Sequence, residues 1–308
     1  LFNSLFVSAK REGNRVVSVT VANKSGLTEL EADFFVDATG DADVAYSAGF
    51  PTRLGRPEDN LCQPMTLCFS IGGVDPAKFD ENQGRIVPLW QEEKKKGTIR
   101  NPMDGIMVFH STFPGIVNLN ATRIVKRNPV DAYDVTAADI EAREQMVELH
   151  EFLKNRVPGF ENSMILSSAV QTGVRESRMI DGEHLLTAEE LVACTVFEDA
   201  IACGNYDIDI HNPEGSGTSH YFFPAGQYYT IPYRSLIPKN AENLLVAGRC
   251  ISATHEAQAS IRIMCIVCTL GEAAGTAVSV AVKDGTTTRN VDVGKLRRTL
   301  EQNGAVIQ

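Results

Sequence analysis

Apolar and polar positions along the chain follow two rhythms, one of period two and one of period near 3.6, and the changes between them mark its parts. Residues 1–9, "LFNSLFVSA", and 15–23, "RVVSVTVAN", are β-rich runs divided by the turn "KREGN", which predicts a hairpin. Residues 27–31 and 34–37 extend it to a small meander feeding a buried strand. Residues 63–71 alternate as a further strand, ended by Gly72 and Gly73. Helical spacing appears at 137–156, with Thr136 as N-cap, Asp139 in the first turn and "VPGF" as the stop. Thr187 and Glu190 have capping-box spacing before "LVAC", which predicts a short helix over 188–194. Residues 228–237, "YYTIPYRSLI", read as a strand that Pro232 makes an edge or interrupted one. A last helix is expected over 293–302.

The most telling stretch is 243–282, where the apolar run 244–247 breaks at Gly248 and a long helix rich in small residues follows. Four apolar residues make a buried strand, Gly248 lets a ligand approach the backbone, and free N–H groups at a helix start face an anion or carbonyl. A second break of this kind lies in "EADFFVDATGDADVAYSAG", residues 31–49, where a strand passes through Thr39 and Gly40 into a helix opened by Asp41 and Asp43. Two such breaks predict a parallel sheet carrying a nucleotide cofactor, and hence an α/β fold. The expected division is a discontinuous Rossmann-like cofactor domain, residues 1–73 and 228–308, with an inserted α+β substrate domain at 74–227. The G-x-G-x-x-G turn that normally opens such a domain has no match. With Leu1 rather than Met at the start, the sequence reads as the later portion of a longer protein, whose missing strand would leave a sheet edge open to self-association.

Composition narrows the classes. The chain has 308 residues, 43% of them hydrophobic and 22% charged, as expected of a folded globular protein. The net charge of -10 argues against nucleic acid as a partner, because no lysine and arginine cluster exceeds "EEKKKG", residues 92–97, read as a solvated helix end. The seven cysteines are odd in number and mostly set in apolar segments, which points to reduced thiols and a cytoplasmic protein. Cys265 and Cys268 have C-x-x-C spacing without a second pair, so core packing is expected rather than a metal or redox site. Residues 261–282 are apolar enough to raise a membrane span, but Arg262 and Glu272 interrupt them and a buried helix is expected instead.

Taken together, "DATGDADVAYSAG", "PGFENS", "GVRESRMIDGEHLLT", "DIDIHNP", "IPYRSLIPKNAENLLVAGRCISATHEAQASIRI" and "LGEAAGTAV" resemble the FAD-dependent oxidoreductase family of the glutathione-reductase-like flavoprotein superfamily. The resemblance covers the later two thirds of the family's pattern and lacks the unit that holds the ADP half of FAD. It implies FAD as cofactor, contacted by Ala38, Thr39, Gly40 and Asp41, by Gly248, Arg249, Cys250, Ile251 and Ser252 at a strand end, and by Ser260, Ile261 and Arg262 at a helix start near the flavin ring. Arg249 and Arg262 could instead pair with a carboxylate such as Asp41 or Glu256.

On the substrate side, Arg175 and Arg178 in "GVRESR", His220 and Tyr221 in "TSHYFFP", and Tyr233 and Arg234 in "IPYRSL" are the candidates. Guanidinium groups clamp carboxylates, and histidine or tyrosine moves the proton that accompanies hydride transfer. Asp207, Asp209 and His211 share a strand face, for which a polar edge is the simpler reading than a metal site, and no metal is expected. His255 and Glu256 open the expected helix, where Thr254 and Glu256 could also serve as caps. The function expected is hydride transfer between flavin and a small organic substrate, with arginines leaning toward an anionic one. The rival reading is a cofactor-free binding or scaffolding fragment of the same fold, and a third is that an upstream segment or second polypeptide restores FAD binding.

Overall fold

The computed structural model describes residues 1–307, which fall into two compact units. The first comprises Leu1–Asn60, Glu176–Ile210 and the chain from His220 onward; the second comprises Leu61–Arg175 and His211–Ser219.

In the first unit, strands Leu5–Glu12, Arg15–Asn23 and Gly26–Glu31 form an antiparallel meander, as the alternation predicts. Phe6, Ala9 and Val19 turn inward onto the core. The meander feeds strand Phe35–Asp37, which pairs in parallel with Leu244–Val246. All three residues of Leu244–Val246 are fully buried, so an unbroken apolar run correctly marked a strand covered on both faces. Asn243 ties its start to the meander by accepting from Val16 N and donating to Val16 O and Asp33 O.

Helix Met264–Asp284 packs Ile266, Leu270, Ala273, Ala274, Ala277, Val280 and Ala281 inward. Its partners include strand Ala200–Gly204 and helix Val293–Gln302, which the sequence placed correctly. The helix is buried on that stripe alone: Cys265 and Cys268 are exposed, which corrects their expected place in the core. By length and composition it is apolar enough to cross a membrane, and 39% of its most apolar window is buried.

The second unit has a four-stranded antiparallel sheet in the order Val108–His110, Ile116–Leu119, Phe69–Gly72, Met164–Ser168. Phe69, Ile71, Val117 and Leu119 point into a core with Phe79, Ile86 and Trp90 of helix Pro76–Lys96 and Leu149, Phe152 and Leu153 of helix Ala132–Arg156. The second helix starts earlier than expected because Asp131, not Thr136, caps it, accepting from the amides of Tyr133 and Asp134; Thr136 lies inside and donates to Ala132 O.

The compact units divide at other residues than the sequence boundaries. Residues 61–73 group with the second unit. Residues 176–210 group with the first, because Arg178–Ile180 pairs with Thr52–Leu54 and Ala200–Gly204 pairs with Tyr229–Pro232. The strand expected over 228–237 ends at Pro232 and turns into a 3-10 helix, Tyr233–Leu236.

Candidate functional site

Both glycine breaks lie at the C-terminal ends of the parallel strand pair, where ligands of open α/β sheets bind. The first is ordered by Asp37, a buried residue passed over in the sequence, whose carboxylate accepts from Thr39 N, Thr39 Oγ1 and Ala45 N. That turn puts Gly40 at φ 87°, and a Cβ there would lie 2.6 Å from Arg249 Nη1. Glycine is therefore required twice at this position, by conformation and by the close approach of the guanidinium. The helix after the turn, Asp43–Ser47, is a single short turn whose N-cap is Ala42, so Asp41 is no helix cap and is free to bond elsewhere. Arg249 Nη2 meets Asp41 Oδ1 at 2.6 Å.

At the second break Gly248 has φ 111° with open space where a Cβ would be. The helix expected to open at His255 does so, but it is not continuous. Residues 249–254 form a loop first, then helix His255–Ile261, then Met264–Asp284. Ser260, Ile261 and Arg262 accordingly sit at the end of the first short helix, not at a helix start, and Arg262 is its C-cap. Thr254 caps it by accepting from Ala257 N. Cys250 and Ile251 are fully buried; burial, with Asp37 adding to it, pushes the Cys250 thiol up to about 12, so this residue packs and carries no thiolate.

Three polar atoms in this region are buried without a hydrogen-bond partner: Arg249 Nε, Ser252 Oγ and Arg262 Nε. Unpaired buried donors cost roughly 1–3 kcal/mol each. All three belong to residues that the family resemblance assigns to the cofactor. Arg262 reaches a carboxylate at Asp209 (3.9 Å), not Glu256, and burial pulls its guanidinium below the ordinary value despite Asp209. His220 Nδ1 lies 3.6 Å from Asp209 Oδ1, and its ring stacks on Phe222.

The remaining expected catalytic residues have internal partners. Arg175 donates to Pro64 O at 2.7 Å and Thr66 Oγ1 at 2.5 Å. Arg178 bonds Asp41 O and Asp43 and lies over the Tyr46 ring. Tyr233 is buried, donates to Thr288 O at 2.8 Å, and has its phenol pushed well above the ordinary value by burial. Arg234 forms a two-pronged pair with Asp199 on the surface. Tyr221 is exposed and packs edge-on against Phe223. A separate recess of about 440 Å3, lined in part by Arg15, Glu31, Asp33 and Asn243, lies at the N-terminal ends of the parallel strands, away from both glycines.

A parallel strand pair with a glycine break after each strand is the place where open α/β sheets bind nucleotide cofactors. The chain belongs to the FAD dependent oxidoreductase family, whose family model matches residues 1–300, and FAD is the cofactor of this family. No curated protein matches the chain. Among solved structures it is similar to p-nitrophenol 4-monooxygenase from Pseudomonas putida, at 9% identity and TM-score 0.42 over 93% of this chain and 50% of that one. It is also similar to a geranylgeranyl bacteriochlorophyll reductase-like protein from Thermoplasma acidophilum, at 10% identity and TM-score 0.40 over 97% and 54%. The chain spans about half the length of these structures.

Proposed function

We propose that the protein is an FAD-dependent oxidoreductase whose first unit is a Rossmann-like FAD domain of the glutathione-reductase-like type and whose second unit contributes to substrate binding. The observation that carries this is the set of unpaired buried donors, Arg249 Nε, Ser252 Oγ and Arg262 Nε, on positions the family resemblance assigns to FAD. Gly248 leaves open space beside its backbone, Ala38 and Thr39 are exposed on the other loop, Arg249 covers Gly40, and Cys250 and Ile251 are buried next to Gly248. Arg249 and Ser252 would bind anionic or polar groups of FAD, and Arg262 would orient the ring-bearing end. When bound, FAD supplies the two-electron redox chemistry, taking up or giving a hydride. His220 Nε2, on a half-exposed ring steadied by Asp209 and Phe222, would move the accompanying proton.

Arg175 and Arg178, which suggested an anionic substrate, are held by internal partners, so the proposal stops at an organic molecule. It includes an upstream strand and glycine turn, from the same chain or a second polypeptide, packing on the open edge of the two-stranded parallel sheet and on the exposed face of helix Met264–Asp284. The test is the visible absorbance spectrum of the purified full-length protein with and without added FAD. Flavin bands that stay with the protein through gel filtration are the expected result. Colourless protein under both conditions would favour the cofactor-free binding module instead.

A further inference from the structure

Glu176, Ser177 and Arg178 are consecutive, and between them they grip both loops of the proposed FAD site. Glu176 is fully buried, and its carboxylate meets His255 Nδ1 at 2.8 Å. His255, itself 6% exposed, is the first residue of helix His255–Ile261, which follows the Gly248 loop. Ser177 Oγ donates to Asp41 Oδ1 at 2.5 Å and lies 3.3 Å from Gly40 O. Arg178 Nε donates to Asp41 O at 3.0 Å. One short segment thus joins the loop after Phe35–Asp37 to the helix after Leu244–Val246.

We propose that Glu176, acting through His255, is the positioning residue that sets these two loops against each other to receive FAD. The inference rests on the proposed FAD site. A carboxylate with no solvent contact needs a compensating charge, and an imidazolium supplies one where a neutral imidazole supplies a hydrogen bond alone. Losing that proton reduces the contact to a neutral hydrogen bond, with Arg262 the other cation acting on Glu176, and loosens helix His255–Ile261 from the segment that also holds Gly40 and Asp41.

The charged groups acting on His255 come from three places: Glu176 beside it, Glu256 on its own helix, and Arg56, which is paired with Asp59. Burial pulls the imidazole down, but the hydrogen bond and charge of Glu176, with Glu256, outweigh burial and Arg56 and leave it above its ordinary value. A group raised on folding contributes below its unfolded value and loses that contribution as pH rises through the folded one. FAD affinity should therefore fall on the alkaline side of the His255 titration.

The experiment is an FAD titration of the full-length protein followed by flavin fluorescence between about pH 5.5 and 9, with His255 titrated by NMR in the apo and FAD-bound protein. In the parent protein the FAD Kd should rise on the order of tenfold across the His255 titration, and by reciprocity FAD should raise the His255 pKa. Glu176→Gln keeps the shape and hydrogen-bonding oxygen without the buried charge, so it should bind FAD with a flat pH profile, as should His255→Asn. The same sloping profile in the parent and in Glu176→Gln would overturn the inference, as would an FAD-independent His255 titration. A parent protein that binds FAD with a flat profile removes this inference alone, whereas one that binds no FAD at any pH removes the FAD site with it.

Discussion

Arg249 and Arg234 both follow apolar runs that end strands, yet the structure uses them in opposite ways. Arg234 lies on the surface with Nε and Nη2 both directed at the Asp199 carboxylate. Arg249 is half-buried, gives one prong to Asp41, and keeps a buried Nε with no partner. Residue type and local pattern are alike; what differs is whether the donors are spent. Unspent buried donors are costly unless a ligand takes them, so the proposed FAD site includes Arg249, whereas Arg234 forms a surface ion pair worth at most about 1 kcal/mol.

The sharpest way to break this contrast is to fill the space that Arg249 occupies. Gly40→Ala brings a Cβ within 2.6 Å of Arg249 Nη1 on a backbone at φ 87°, so loss of FAD binding is expected together with a stability decrease of about 1–3 kcal/mol in thermal denaturation. Arg262→Gln removes a poorly paired guanidinium and should weaken FAD binding about tenfold, measured by fluorescence titration, with little change in melting temperature. Tyr233→Phe tests the other side: it deletes the bond to Thr288 O and should lower stability by about 1 kcal/mol while leaving FAD affinity unchanged. Smallest in its bearing on the site, Thr187→Ala opens an observed capping box and should cost about 1 kcal/mol by chemical denaturation without touching FAD.

Much of the first unit was legible because single strong signals fixed its elements. An uninterrupted apolar run gave Leu244–Val246, capping-box spacing gave the helix at Ala188–Val192, and amphipathic spacing gave Val293–Gln302. Helix Pro76–Lys96 was visible only at its charged end, because Gly84 and Pro88 interrupt a pattern that packing of Phe79, Ile86 and Trp90 overrides. The break between His255–Ile261 and Met264–Asp284, which puts Arg262 at a helix end, was not readable because no glycine or proline marks it. The exposed Cys265 and Cys268 show that composition reveals an apolar helix but not which stripe of it meets the core.

At the site itself, both glycines were readable from strand ends. Of the carboxylates that organise it, Asp41 was readable too, with its pairing to Arg249, but Asp37 and Glu176 were not. Asp37 sat in plain view in "VDATG", where an aspartate two residues before a threonine signals an Asx-type turn. Glu176 and Ser177 were hidden between two arginines that drew the eye, and nothing local in a sequence announces a glutamate whose partner is 79 positions away.

The most direct test of the account is a paired FAD titration of Arg249→Gln and Arg234→Gln in the full-length protein. The account predicts that the first loses about tenfold to a hundredfold in affinity while the second binds as the parent does. Equal losses in both variants, or none in Arg249→Gln, would contradict it.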